Sequence, residues 1–194
     1  MLIDNESSSL GDTIAWMPYI EEFRKKHSCE VFYASSYNNL FDKEYPEINF
    51  IGKGEVVDRL YATYKLGWWF DDLSYHPKDC REIPLQQTAT DILGLDYKEI
   101  KPKMVIPDEP RRMEEPYVCI GIHGTSQCKY WNRKDGWQKI VDYLNEKGYK
   151  VVLISKEYSF GIEPFMNYPP ENIIDKTGDY SLEDRMVDLK HAEF

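Results

Sequence analysis

Apolar and polar positions follow the same order twice along the chain, with short apolar runs leading through polar loops into helical periodicity. Leu2–Ile3 precedes a polar loop and then apolar residues at spacings of three and four, which is the repeat of an amphipathic helix: Ile14, Met17, Tyr19, Ile20 and Phe23. Further strands are predicted at 30–34 and 48–51, with a helical segment around Leu40–Phe41 between them. This β-α-β-α-β order indicates a parallel sheet with helices on both faces.

Two parts of this first half depart from the pattern. Pro18 has no backbone N–H for the helical ladder, so the regular helix is predicted to begin near Pro18, after an irregular turn. Residues 55–80 are rich in aromatic side chains without a clean period, so buried helix and buried strand around a ligand cleft both remain open. A helix is predicted again at 85–95, with Gly94 near its end.

The second half repeats the order after a charged stretch with four prolines, Pro102, Pro107, Pro110 and Pro116. An apolar run at 117–122 predicts a strand buried on both faces. A helix at about 134–147 ending at Gly148, strands at 150–154 and 172–175, and a helix with Ser181 as its N-cap are also predicted.

These elements predict an α/β protein with two domains, each built on a parallel sheet. The boundaries are residues 1–108 for the first domain, 109–116 for a linker and 117–194 for the second domain. The second domain has only about two and a half strand–helix steps, which is fewer than a doubly wound sheet needs. We therefore expect a second domain that is incomplete in this chain, as in a fragment of a longer protein.

Composition narrows the function classes. The 34 acidic residues outnumber the 24 basic ones and the net charge is −10, which argues against a nucleic-acid partner. No apolar run is long enough for a membrane span, and the N-terminus lacks the pattern of a signal peptide. The cysteines at positions 29, 80, 119 and 128 lack structural-zinc spacing, so reduced thiols, no metal and a cytoplasmic location are expected.

Three loops follow predicted parallel strands, at the edge where α/β folds bind ligands. In the first loop, Asp12 stands at a helix entrance, either facing the cleft or only capping the helix. In the second, Thr125, Ser126 and Lys129 suit a phosphate-bearing ligand, or form an ordinary polar turn. In the third, Glu157 could accept from a ribose, or could be an ordinary exposed carboxylate. Neither a dinucleotide glycine fingerprint nor a P-loop is present, which disfavours a nicotinamide oxidoreductase.

The motifs resemble those of the ADP-heptose glycosyltransferases of family nine. One is Leu10-Gly-Asp12 with Pro18, and the other is a strand followed by His123-Gly-Thr-Ser-x-x-Lys129-x-Trp131. The strings 10–18, 129–132 and 84–95 resemble the autotransporter heptosyltransferases (TibC type) more closely. The resemblance covers essentially the whole chain, and the two motifs are specific in combination.

The resemblance implies a GT-B architecture, in which two Rossmann-like domains face each other across a cleft. It implies inverting transfer of heptose from ADP-heptose to serine hydroxyls of an autotransporter protein. Asp12 would be the general base, and the diphosphate would be held by Thr125, Ser126 and Lys129. Contacts to the ribose and adenine fall near Ser155, Glu157 and Tyr180.

The same resemblance sets expectations about cofactors and partners. No cofactor is expected within this chain, because the iron-binding cysteine cluster of the TibC type would lie beyond Phe194. The assembly state is left open, and a homo-oligomer is one of the possibilities. The alternatives are a transferase acting on the lipopolysaccharide core, or a truncated, non-catalytic remnant that binds a nucleotide or a partner.

Overall fold

Two parallel β-sheets organise the chain, each with its own helices. The structure is a computed structural model that describes residues 1–68, 78–79 and 81–194. It divides into two units, Met1–Val105 and Ile106–Phe194, with a four-stranded sheet in the first and a three-stranded sheet in the second. The predicted α/β class with parallel sheets is confirmed. Part of the 55–80 prediction lies outside the described residues, as do Trp69, Phe70, Tyr75 and Cys80.

The first unit has the strand order of a Rossmann-like half sheet. Its elements are β1 (Leu2–Asn5), α1 (Leu10–His27), β2 (Phe32–Ala34), β3 (Asn49–Ile51), β4 (Thr63–Leu66) and α2 (Leu85–Leu93). The order across the sheet is β3-β2-β1-β4, and each neighbouring pair is parallel. The order reverses at β1, and in open α/β sheets ligands bind outside the carboxyl end of the strand at such a switch point. The loop that follows Asn5 therefore occupies the expected place for a site.

The prediction that the regular helix starts near Pro18 is wrong. α1 is one helix from Leu10 to His27, with Pro18 in its interior. An interior proline costs about 3 kcal/mol, because a backbone hydrogen bond is lost and the ring crowds the preceding turn. Trp16, Met17, Ile20 and Phe23 are all fully buried along this helix, and burying each such side chain contributes about 1.5–3 kcal/mol. The stabilisation from burying these side chains therefore exceeds the cost of the interior proline.

The helical segment predicted around Leu40–Phe41 is present as a short 3₁₀ helix, Asn38–Leu40, and not as an α-helix. The Asn38 side chain donates through Nδ2 to Ile51 O at 2.6 Å and accepts through Oδ1 from Ser35 Oγ at 2.8 Å. Such local side-chain hydrogen bonds compete with helix formation. Within the 55–80 stretch, the structure describes a strand, β4, rather than a helix.

The second unit contains β5 (Tyr117–Ile120), α3 (Gly136–Glu146), β6 (Lys150–Leu153), β7 (Ile174–Asp175) and α4 (Leu182–His191). Its sheet has the order β5-β6-β7 and is parallel throughout. Each of these elements was predicted, the first four with ends one or two residues wider and α4 by its start at Ser181. The core between α3 and the sheet is formed by apolar residues from both, namely Val118, Ile120, Ile122, Val141, Leu144, Val151 and Leu153.

The stretch predicted as a linker packs against the second unit. Arg111 Nη2 lies 3.3 Å from Glu193 Oε1, and Arg112 Nη1 lies 2.5 Å from Asp184 Oδ1. Arg111 also lies over the ring of Tyr117, 5.2 Å from its centroid. Residues 109–116 therefore belong to the second of the two units.

Ser181 caps α4, as predicted, and its removal should destabilise the second unit. Its hydroxyl oxygen accepts from Asp184 N at 3.0 Å, and the Asp184 carboxylate accepts from Ser181 N at 3.4 Å. The Ser181 hydroxyl and Arg112 lower the pKa of Asp184. We expect Ser181→Ala to lower the free energy of unfolding by about 1 kcal/mol in urea titrations. Ser181→Thr keeps a capping hydroxyl and should retain most of this stabilisation. Equal stability of the alanine variant and the wild type would contradict this role.

Candidate active site

Asn5, the last residue of β1, fixes the loop that enters α1. Asn5 is fully buried, and its Nδ2 donates to Thr13 Oγ1 at 3.0 Å and to Tyr33 Oη at 3.1 Å. Its Oδ1 accepts from Ser7 N at 3.0 Å, and Thr13 Oγ1 donates to Ser9 O at 2.9 Å. Burial raises the pKa of Tyr33 well above its ordinary value, so this hydroxyl stays neutral. The loop is therefore held by a closed set of hydrogen bonds.

Asp12 lies in the first turn of α1, which follows this loop along the chain, and it is partly buried. Ser7 Oγ donates to Asp12 Oδ2 at 2.6 Å, and Trp68 Nε1 donates to the same oxygen at 2.9 Å. Among the described residues, none donates to the other oxygen, Oδ1. The N-cap residue of α1 is Ser9, and the Asp12 carboxylate accepts from side chains rather than from the helix backbone. Its contacts are thus different from those of a helix cap.

Trp68 was missed as a site residue, although it lies just after β4 in the aromatic stretch 55–80. Its ring packs against Trp16 with 5.7 Å between ring centroids, and Trp16 Nε1 donates to Leu85 O at 2.9 Å. Aromatic density was the only signal for this region, and it does not indicate which indole reaches Asp12. The contact needs β1, β4 and α1 in place together.

A pocket of about 290 Å³ lies where β5 and β6 end in the second unit. Its lining comes from the two loops that follow these strands: His123, Gly124, Thr125, Ser155, Lys156, Glu157 and Phe160. Three of the six predicted donor-binding residues, Thr125, Ser155 and Glu157, therefore meet at one pocket. Ser126, Lys129 and Tyr180 do not line it.

The side chains of these loops divide into one structural hydroxyl and several exposed groups. Ser155 is buried, and its Oγ accepts from Ile122 N at 3.1 Å, which ties the two loops together. Thr125, Ser126 and Lys129 are exposed, and the Ser126 hydroxyl lies 3.1 Å from Cys128 Sγ. Within the described part of the chain, Lys129 forms no ion pair. All three side chains are therefore accessible to solvent.

Arg185, on α4, connects the Tyr180 segment to the end of β6 and was not found from the sequence. Its guanidinium donates to Ile154 O at 3.1 Å, to Gly178 O at 3.0 Å and to the carbonyl oxygen of Tyr180. The Tyr180 ring is 44% exposed, and Lys176 Nζ lies 6.0 Å from its centroid. Arg185 thus holds Tyr180 near the loops of the pocket without placing it in the lining.

Metal-binding clusters and membrane-spanning helices are both missing from residues 1–68, 78–79 and 81–194. In that part of the chain, His, Cys, Asp and Glu side chains do not gather in groups of three or more that could hold a metal ion. None of the described helices has the length and apolar character needed to cross a membrane.

Comparison with known proteins relates the chain to one group of enzymes. No family model matches it. It is 36% identical over 198 residues to the autotransporter heptosyltransferase Aah of Escherichia coli, a match that covers all of this chain and 50% of Aah. It is 30% identical to the inactive autotransporter heptosyltransferase BimC of Burkholderia thailandensis, over 79% of this chain and 38% of BimC.

The fold matches a solved structure of the same group. The crystal structure of TibC from enterotoxigenic E. coli, a bacterial iron-containing dodecameric glycosyltransferase, superposes with a TM-score of 0.91 at 33% identity. The match covers all of this chain and 51% of TibC, which has also been solved in complex with ADP-D-β-D-heptose.

The parallel α/β units and this match define a glycosyltransferase fold of the GT-B type. Within that class, the chain is related over its whole length to the autotransporter heptosyltransferases. The chain spans about half the length of the relatives that it matches. The iron of TibC has no counterpart group of ligands among the residues described here.

Proposed function

We propose that the protein transfers heptose from an ADP-heptose donor to serine hydroxyls of an autotransporter protein, with inversion at the anomeric carbon. The observation that carries the proposal is the whole-chain similarity to TibC, which has been solved with ADP-D-β-D-heptose. The position of Asp12 at the switch point of the first sheet, and the pocket in the second unit, supply groups of the kinds that this reaction needs.

Asp12 is the general base in this proposal. Its Oδ1 takes the proton from the serine hydroxyl as the serine oxygen attacks the anomeric carbon. The new carbon–oxygen bond forms on the face opposite the diphosphate, and the bond between the anomeric carbon and the phosphate oxygen breaks. ADP leaves with the electron pair, and the configuration at the anomeric carbon is inverted.

The second unit binds the donor in this proposal. Lys129 and the hydroxyls of Thr125 and Ser126 bind the diphosphate and stabilise the charge that develops as ADP leaves. Glu157 accepts from the ribose hydroxyls, while Ser155 holds the two loops together and Tyr180 contacts the adenine. The exposure of the lysine and the two hydroxyls supports this division of roles.

Location and assembly are proposals of the same kind. The thiols of Cys29, Cys119 and Cys128 are free, which fits a reducing compartment and supports a cytoplasmic location. TibC is described as dodecameric, which supports a homo-oligomer for this protein.

Two alternative functions differ in the acceptor that would be modified. A lipopolysaccharide-core transferase would use the same donor, and a non-catalytic remnant would resemble BimC, a relative named inactive. The test supplies ADP-heptose together with an equimolar autotransporter fragment and lipopolysaccharide core, and measures the mass of both acceptors. We expect one heptosyl increment or more on the autotransporter fragment only. Modification of the lipopolysaccharide core would favour the lipopolysaccharide-core transferase. Modification of neither acceptor would favour the non-catalytic remnant.

A further inference from the structure

We propose that Ser7 and Trp68 are positioning residues for Asp12. They hold one oxygen of its carboxylate, so that the other oxygen is free to take the proton from the acceptor serine hydroxyl. This inference rests on the proposed function of Asp12 as the base. Both donors bind Oδ2, at 2.6 Å from Ser7 Oγ and 2.9 Å from Trp68 Nε1.

The direction of the Ser7 hydrogen bond is set by its neighbours. Ser7 Oγ accepts from Ser9 N at 3.1 Å, and Ser7 N donates to Asn5 Oδ1 at 3.0 Å. A hydroxyl has one proton, and an ionised carboxylate can only accept. The Ser7 proton is therefore directed to Asp12, and the position of the hydroxyl is fixed by the loop rather than by the carboxylate.

Trp68 is likewise held by contacts other than Asp12. An indole N–H is only a donor, and the Trp68 ring packs at 5.7 Å between centroids on Trp16, which is fully buried and itself bound to Leu85 O. Trp68 is 36% exposed, so this residue lies at the edge of the core. The first sheet and α1 thus present a second fixed donor to the same carboxylate oxygen.

Two donors on one oxygen remove the rotational freedom of the base. The terminal torsion of an aspartate is broad and nearly two-fold, so an unrestrained carboxylate exchanges its two oxygens. With Oδ2 held at two points, Oδ1 occupies one position. A displacement of about 1 Å in a reacting group can cost 10²-fold in rate, so this restraint has a measurable effect on kcat.

The test uses two variants that each remove one donor to Asp12, of which Trp68→Phe is the cleaner because Ser7→Ala also removes the acceptor of Ser9 N. Trp68→Phe removes the N–H but keeps an aromatic ring beside Trp16, and Ser7→Ala removes the hydroxyl. We expect each to lower kcat for heptose transfer by about 10-fold, and the pair by about 100-fold, with unchanged affinity for ADP. Ser7→Thr keeps the hydroxyl and should restore most of the rate.

The decisive control repeats Trp68→Phe in an Asp12→Asn background. Because Trp68 acts through Asp12, no further loss is expected there, whereas a structural role would lower the rate in both backgrounds. If Asp12→Asn abolishes transfer while Trp68→Phe and Ser7→Ala stay within two-fold of wild type, this inference is wrong and the proposed function stands. If Asp12→Asn keeps its activity, the base assignment fails and the inference fails with it.

A spectroscopic measurement tests the contact without activity. The indole N–H resonance that disappears in Trp68→Phe belongs to Trp68, and we expect it to move upfield in Asp12→Ala, which removes its acceptor. An unmoved resonance would overturn the inference even if transfer is observed.

Discussion

Asp12→Asn should lower the rate of heptose transfer by about 10²–10⁴-fold, the usual contribution of general acid–base catalysis. An asparagine oxygen in the place of Oδ2 can still accept from Ser7 and Trp68, so the local hydrogen bonds survive. Its amide nitrogen then stands where Oδ1 was, and an amide cannot take the proton. If Asp12 only stabilised the helix N-terminus, asparagine would serve about as well as aspartate and activity would be kept.

The controls for this variant separate chemistry from folding. The melting temperature and the affinity for ADP should change little, because the proposed donor contacts are all in the second unit. Asp58→Asn, which neutralises an exposed carboxylate elsewhere in the first unit, should transfer at the wild-type rate. Activity of Asp12→Asn within a few-fold of wild type would end the proposed mechanism.

Lys129→Ala should weaken ADP binding by about 1.5–3 kcal/mol, the scale of a hydrogen bond to a charged group. That is about 10- to 150-fold in the dissociation constant measured by calorimetry. Lys129 is exposed and forms no ion pair within the described residues, so its ammonium has no competing carboxylate to leave before it meets a diphosphate. Thr125→Ala removes a neutral donor and should cost less, about 0.5–1.5 kcal/mol.

A lysine outside the loop provides the matched control. Lys139, exposed on α3, carries the same charge, and Lys139→Ala should leave ADP affinity within about two-fold of wild type. Equal affinities of Lys129→Ala and wild type would remove Lys129 from the donor site. Equal losses in both lysine variants would indicate a general effect of charge instead of a specific contact.

The elements found from the sequence are those with a strong local signal. α3 has one apolar face and ends near Gly148, α4 begins at a serine cap, and β5 and most of β6 are continuous apolar runs. α1 begins eight residues before Pro18, because burial of its apolar face is a tertiary effect that a local proline rule does not include. The turn at Asn38 depends on its bonds to Ile51 and Ser35, which periodicity does not show.

The candidate site divides in the same way. Asp12, Thr125 and Lys129 all lie in the short segments between a predicted strand and the helix that follows it or in the first turn of that helix, so the order of elements and the motifs together are enough to single them out. Trp68 reaches Asp12 across 56 positions of sequence, and Arg185 reaches Ile154 across 31. Such contacts are fixed by packing of distant elements, and a single sequence holds no local pattern for them.

The most direct measurement of the central claim follows the anomeric carbon itself. ADP-D-β-D-heptose labelled with ¹³C at that carbon is incubated with the protein and an autotransporter fragment, and the one-bond carbon–proton coupling of the product is recorded by NMR. We expect a heptosyl serine with the α configuration, formed by wild type and lost in Asp12→Asn. A product that keeps the β configuration, or an unchanged donor signal with wild-type protein, would contradict inverting transfer from ADP-heptose.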